Sequence, residues 1–327
     1  MRNELVTIFG GSGFIGRYLV RELCRSGYRV RVAVRRPHLA VDIKVSGEIG
    51  QIQIVQANLR NRASVERAVE GAHAVVNLVG VLFEDGRQTF AATMARGAGT
   101  VAQAARAAGA ARLVHVSANG ADPESKSVYA RAKAAGEAAV REAFPEATVL
   151  RPSVVFGEED QFFNKFAGMA RCTPALPLFG GGRTRLQPVF VGDVARAIRG
   201  ALESAEAPGR TYVLAGPRVY TFRELMEFTL HAIGRRRVLV PLPWPVSMLI
   251  GKTGGALGRL PFVAPPVTGD QVTLLRSDNI APEGTPGLAA LGVIHPDTME
   301  SVVPVYLRRF RKPGATERAL VPGEEPA

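Results

Sequence analysis

The stretch Val6-Thr7-Ile8-Phe9-Gly10-Gly11-Ser12-Gly13-Phe14-Ile15-Gly16 constrains this 327-residue chain more than any other, because glycines at three-residue spacing join a short apolar strand to a helix. Gly10 can turn the backbone with φ > 0, Gly13 lets main-chain N–H groups approach a pyrophosphate, and Gly16 lets the helix pack closely on the strand. Gly11, Ser12, Phe14 and Ile15 complete the loop and the first helical turn, whose free N–H groups and positive dipole end favour phosphate. A β-rich run from Leu5 to Phe9 precedes the loop. Phe14, Ile15, Leu19, Val20, Leu23 and Cys24 follow at helical spacing, with Arg17, Arg21 and Arg25 turned outward. Gly27 then suits a helix C-terminus and Arg29 to Val34 a second strand. The segment closes a βαβ unit and reads as a dinucleotide site rather than a bare turn.

The strands that follow carry further candidates. Arg35 and Arg36 stand where an acidic residue would normally take the adenosine ribose hydroxyls. Arginine there can pair with a 2′-phosphate, which points to NADP(H) over NAD(H); the plain alternative is a solvated basic turn before Pro37. Ile52 to Val55 reads as the third strand, followed by Asn58 and Leu59, and Ser64 to Val69 as a short helix. Asn58 suits either the adenine edge or a turn before that helix. Ala74 to Val79 is an apolar fourth strand ending at Val79 and Gly80, where the missing side chain would let the loop pass close to a cofactor. An alanine-rich helix is expected from about Thr89 to Ala108, and Arg112 to Ser117 forms the fifth strand.

Ser117 ends that strand on the edge where doubly wound sheets bind ligands. Tyr129 and Lys133 follow at i, i+4, on one face of a helix. A free tyrosine has a pKa near ~10, and an adjacent ammonium lowers it by favouring phenolate. Ser117 could hold a substrate oxygen beside that phenol.

The glycine pattern, the Ser117, Tyr129 and Lys133 set, and Leu150-Arg151-Pro152-Ser153-Val154-Val155-Phe156-Gly157 together resemble the extended and atypical branches of the short-chain dehydrogenase/reductase superfamily. The resemblance implies a Rossmann-type cofactor domain, with Tyr129 as proton donor or acceptor, Lys133 on the nicotinamide ribose, Ser117 orienting substrate, and Pro152 and Val154 beside the nicotinamide. Several further runs narrow the likeness: Glu158 to Phe166, Gly180 to Ala195, Gly216 to Leu225, and Val240-Pro241-Leu242-Pro243. They resemble the NAD(P)H-binding accessory subunit of respiratory complex I, the alpha-subcomplex subunit 9 family, over about residues 4 to 310. That likeness implies complex I subunits as partners and a cofactor that is mainly structural. The alternative is an active NADP-dependent reductase or epimerase of quinone or sugar-nucleotide metabolism.

The same runs have plain structural readings. Glu158, Glu159 and Asp160 suit the first turn of a helix, Asp193 would cap a helix from Val194 to Leu202, and Thr221 with Glu224 forms a capping box. The fold class expected is α/β, a doubly wound parallel sheet with a smaller C-terminal α/β domain. Residues 1–157 would bind the nucleotide with a return at about 187–215, residues 158–186 and 216–312 would form the smaller part, and 313–327 a disordered tail.

Composition limits the partners. A net charge of +12 attracts an anionic membrane surface or an acidic protein face. No nucleic-acid-reading motif accompanies the arginines, so nucleic acid is not an expected partner. The apolar stretch 238–266, with Trp244, Lys252 and Arg259, reads either as a membrane-edge or partner surface or as a buried helix. The five histidines lack ligand spacing, so no metal is expected. Two cysteines, no secretory signal and no spanning run suggest a reduced, cytosolic compartment, and the resemblance implies a peripheral place on the cytoplasmic face of the inner membrane.

Overall fold

The computed structural model of the protein describes residues 4–257 and 267–311. β1 (Leu5–Phe9), α1 (Phe14–Arg25) and β2 (Arg29–Val34) form the first strand-helix-strand unit. Next come β3 (Ile52–Gln56), α2 (Arg62–Val69) and β4 (Ala74–Asn77). A π-helical turn at Ala91–Ala95 leads into α3 (Arg96–Ala107), and β5 (Arg112–Val116), α4 (Val128–Ala143) and β6 (Thr148–Pro152) follow. After β7 (Val155–Phe156) the chain forms α5 (Phe163–Cys172), β8 (Ala175–Phe179) and β9 (Arg185–Leu186). It returns through β10 (Val189–Phe190), α6 (Val191–Glu203) and β11 (Thr211–Leu214). The remaining elements are β12 (Tyr220–Thr221), α7 (Phe222–Ala232), β13 (Val238–Leu242), α8 (Trp244–Leu257), α9 (Gly269–Leu274) and α10 (Met299–Tyr306).

Among the described residues, seven strands pair in the order β11-β6-β5-β4-β1-β2-β3, parallel at every junction. A parallel sheet covered on both faces needs strands that are mostly apolar, and β1 and β4 are, Thr7 and Asn77 apart. Val6 and Ile8 pack with Leu19 and Leu23 of α1 and Ile198 of α6. Phe9, Val75 and Leu113 face the other way, into Val65, Val101 and Val140 of α2, α3 and α4. The one polar side chain inside β1, Thr7, is satisfied by donating its hydroxyl to the Ala68 carbonyl at 3.0 Å. Strand order reverses between β1 and β4, so the crevice at their C-terminal ends is the switch point where such sheets bind ligands.

A second core gathers α5, α7, α10 and the parallel pair β8–β13 around Phe163, Phe166, Phe179 and Phe222. α7 begins with the capping box at Thr221 and Glu224 that its sequence anticipates, and α9 begins with another, at Thr268 and Gln271.

Two caps differ from expectation. α6 starts at Val191, so Asp193 lies inside its first turn, fully buried, paired with Arg196 and accepting from the Asp297 N–H at 2.8 Å. A strand running straight into a helix leaves the N-cap to Phe190, which has no side-chain acceptor. Glu158, Glu159 and Asp160 precede α5 rather than fill its first turn; Asp160 accepts from the Phe162 and Phe163 N–H groups at 2.9 and 2.7 Å and from the Tyr306 hydroxyl.

In α8, Val246, Leu249 and Ile250 are exposed, while Trp244 and Met248 pack on the second core and Ser247 is buried. The helix therefore divides between the two readings of its sequence. Arg259, Leu260, Phe262 and Val263, and the basic and tail residues from Lys312 onward, lie outside the described residues. No helix among the described residues is long and apolar enough to cross a membrane.

Candidate functional site

One cavity of about 910 Å³ opens over the C-terminal ends of β1, β4 and β5, with its far wall built from the second core. The β1–α1 loop forms its floor. Gly10 adopts φ +81°, which an L side chain resists, and accepts from the Gly13 N–H at 3.0 Å. A Cβ on Gly16 would stand 2.5 Å from the Gly10 carbonyl oxygen and from Gly11, so the first turn of α1 can lie on the loop only without a side chain there. Gly13 is the N-cap and has no side-chain acceptor, which leaves the first-turn N–H groups of α1 available to an anion.

Of the residues nominated from sequence, all but Gly11 and Arg36 line this cavity. Gly11 is buried instead, with its missing Cβ facing Val32 at 2.9 Å. Arg35 lines the cavity where β2 ends, and Arg36 heads the turn that follows it. Asn58 lines the cavity and also serves as the turn residue: its Oδ1 accepts from the Arg60 N–H at 3.1 Å. Gly80 faces inward, its missing side chain leaving room for the Lys133 ammonium, which a Cβ there would meet at 3.3 Å.

Ser117, Tyr129 and Lys133 meet here. Ser117 is 4% exposed, and its hydroxyl has no partner among the described residues. Tyr129 is half-buried, its ring edge-on to Phe90 at 5.8 Å. Lys133 donates to the Val116 carbonyl at 3.2 Å and lies 6.0 Å from the Tyr129 ring centroid. The phenol pKa is raised here rather than lowered. Burial, and next the Asp270 carboxylate, push Tyr129 up to about 12. Burial also pulls Lys133 down to about 8. Desolvation shifts each group towards its neutral form, although at about 8 Lys133 still carries its charge at neutral pH. Beneath them His115 is pushed down to about 3 by burial and by Lys133, so it is neutral; its Nδ1 faces the Asn77 amide at 3.2 Å.

Sequence reasoning missed the residue that holds the Tyr129 helix in place. Asp270 of α9 accepts from the Ser127 hydroxyl at 2.8 Å and from the Val128 and Tyr129 N–H groups at 2.8 and 3.2 Å. A carboxylate on the N-terminus of α4 satisfies donors that the helix cannot, and favours its dipole. The Thr268–Gln271 box is the signal from which α9 could have been read, but nothing local in either segment announces that they meet. Arg60 and Lys165, which also line the cavity, were missed as well.

The sequence profile of the NAD dependent epimerase/dehydratase family matches residues 6–215. Mouse (Mus musculus) mitochondrial NADH dehydrogenase (ubiquinone) 1 alpha subcomplex subunit 9 is 36% identical over 309 residues, covering 94% of this chain and 80% of that protein. A ceramide reductase of Caulobacter vibrioides is 32% identical over 254 residues, 76% of each chain. Among solved structures, triphenylmethane reductase of a Citrobacter species superposes with a TM-score of 0.73 at 18% identity, over 92% of this chain and 99% of that one, a likeness of fold alone. With the glycine loop at the switch point of a seven-stranded parallel sheet, these matches show that the chain belongs to the NAD(P)-binding epimerase/dehydratase family of extended short-chain dehydrogenase/reductases, with the alpha subcomplex subunit 9 proteins among its relatives.

Proposed function

We propose that the protein is an accessory subunit of a respiratory NADH:ubiquinone oxidoreductase, binding NADP(H) chiefly to hold its own fold. One observation carries this reading: the cavity is lined at once by the β1–α1 loop, by α4 and by α5, α7 and α9 of the second core. A nucleotide running from the glycine loop to Pro152 and Val154, the latter packed on the second core, would tie the two cores together. We divide the chain accordingly into a nucleotide part, 1–157 with its return at 187–215, and a partner part over the strand ends. A ligand that binds only the folded state stabilises it by RT ln(1 + [L]/Kd), about 4 kcal/mol at roughly 1,000 Kd, with no turnover.

The preference for NADP(H) rests on Arg35, which lines the cavity where a ribose acid would otherwise stand, with Arg36 heading the turn beside it. Equal affinities for NADPH and NADH in a calorimetric titration would remove that preference. The complex I partners rest on the subunit 9 relatives. Exposed Val246, Leu249 and Ile250 and the nearby run Arg235 to Arg237 support an anionic membrane surface, on the cytoplasmic face of the inner membrane. Native gels and mass spectrometry of gently solubilised membranes test the whole reading: chain and nucleotide should travel with the complex, and a chain found only free in solution sinks it.

A second reading, an active NADP-dependent reductase, is favoured by the unpartnered Ser117 hydroxyl beside Tyr129 and Lys133, and by the name of the Caulobacter relative. The bound cofactor would supply hydride, with Tyr129 moving the proton. Substrate-linked oxidation of NADPH that disappears in Tyr129→Phe would establish it.

A further inference from the structure

The residues nominated for the nucleotide leave one end of the cavity unclaimed. Past Ser117 and Tyr129 it continues between α5, β8, β9, α7 and α9, where Phe162, Phe166, Phe179, Leu186, Phe222 and Leu275 line it. The phenyl rings are packed on one another, Phe166 against Phe222 at 5.5 Å, Phe162 against Phe222 at 6.0 Å and Phe179 against Phe222 at 6.1 Å. This wall belongs to the second core rather than to a gap between loops. Sugar hydroxyls or a second phosphate set against it would lose water and find no partner. An alkyl chain would gain about fourfold in affinity for each methylene buried.

Several polar groups at the rim are already engaged. Asp270 is held by α4, Asp278 by Arg185 at 2.7 Å, and Gln271 by its own capping box. Lys165 of α5 lines the same cavity, is half-buried, and has no ion pair or hydrogen bond among the described residues. Desolvation holds its pKa below the ordinary lysine value. A half-buried cation with no anion beside it favours a ligand that brings one.

We propose that this chamber binds a single-chain amphiphile with one acidic headgroup, its chain against the partly exposed Phe162 and Leu275 that cover the phenyl wall and its headgroup against the Lys165 ammonium. The proposal rests on the nucleotide reading in one respect: the dinucleotide takes the glycine-loop end and leaves this end open. The headgroup is a carboxylate, from a free fatty acid, or a phosphate, from a lipid.

Calorimetric titration of the full chain tests this, with decanoate, decyl phosphate and decanol below their micelle-forming concentrations, and with NADPH titrated separately. The acidic ligands should bind about tenfold more tightly than decanol. Octanoate should bind about fifteenfold more weakly than decanoate, since it lacks two methylenes. Lys165→Met should remove the preference for an acidic head and keep decanol binding, while Lys165→Arg should keep the preference. Leu275→Trp, which fills the chamber from its side, should weaken every chain. Tighter binding of decyl phosphate assigns the lipid source and tighter binding of decanoate the fatty acid. Equal binding of decanol and decanoate, a preference that survives Lys165→Met, or no binding by any of the three overturns the proposal. NADPH binding without amphiphile binding overturns this inference alone; amphiphile binding without NADPH binding overturns the nucleotide reading alone.

Discussion

Tyr129 and Lys133 stand four residues apart on one helix, yet their chemistry follows from burial more than from spacing. The buried Lys133 ammonium titrates at about 8, whereas in the unfolded chain it titrates near ~10.4. Between those values the unfolded state binds more protons than the folded one, so this group makes stability rise with pH across that window. Denaturant titrations at intervals from about pH 8 to pH 10 should show the rise in the wild-type chain relative to Lys133→Met; identical pH slopes would refute the shift. The cysteines give a second residue-scale contrast. Cys24 is buried and pushed up to about 11 by desolvation, whereas Cys172 is exposed. An aromatic disulfide reagent should therefore titrate one thiol in the native protein and both after unfolding, and rapid modification of Cys24 in the native state would contradict its burial.

At the scale of elements, the contact between α4 and the π-helical turn depends on a missing side chain. A Cβ on Gly136 would run into the carbonyl oxygen of Met94. Gly→Ala gains about 1 kcal/mol of helix propensity, but forcing atoms into a packed interface costs about 1–3 kcal/mol, and a backbone carbonyl cannot swing aside as a side chain can. Gly136→Ala should therefore be destabilised by up to about 2 kcal/mol in denaturant titration. Gly99→Ala, whose new Cβ would meet the Ala139 methyl at 3.1 Å, should be nearly neutral. Equal stabilities for the two variants would show that the interface yields.

Element types were legible where a periodic apolar pattern or a cap was present, as in α1 and at Thr221. The π-helical turn was not. The expected helix from Thr89 to Ala108 is so rich in alanine that a one-residue slip leaves no phase error in its apolar stripe. The start of α6 was misread because the obvious capping residue, Asp193, is held by Arg196 and by the distant Asp297 N–H, neither of which its neighbours announce.

Across the whole molecule, one carboxylate joins the second core to the helix that carries Tyr129. Asp270→Ala leaves the Ser127 hydroxyl and two N–H groups without their acceptor, so it should lower stability by about 2–3 kcal/mol. Thr221→Ala, which removes an ordinary cap, should lower it by about 1 kcal/mol. If the two variants melt alike, Asp270 is only a surface acceptor. NADPH should narrow the difference between Asp270→Ala and wild type if the nucleotide bridges both cores, which thermal shift with and without cofactor would read.

The sequence by itself determined the glycine loop, the parallel sheet and the i, i+4 pair, because backbone sterics, strand apolarity and helical period act over a few residues. Tertiary structure alone decided that Asp270 meets a helix more than a hundred positions earlier, that Arg35 and not Arg36 lines the cavity, and that phenyl rings from α5, β8 and α7 share one chamber with Lys165. The same packing set the protonation of Tyr129 and Lys133, since desolvation depends on what surrounds a group in space and leaves no mark in its local sequence.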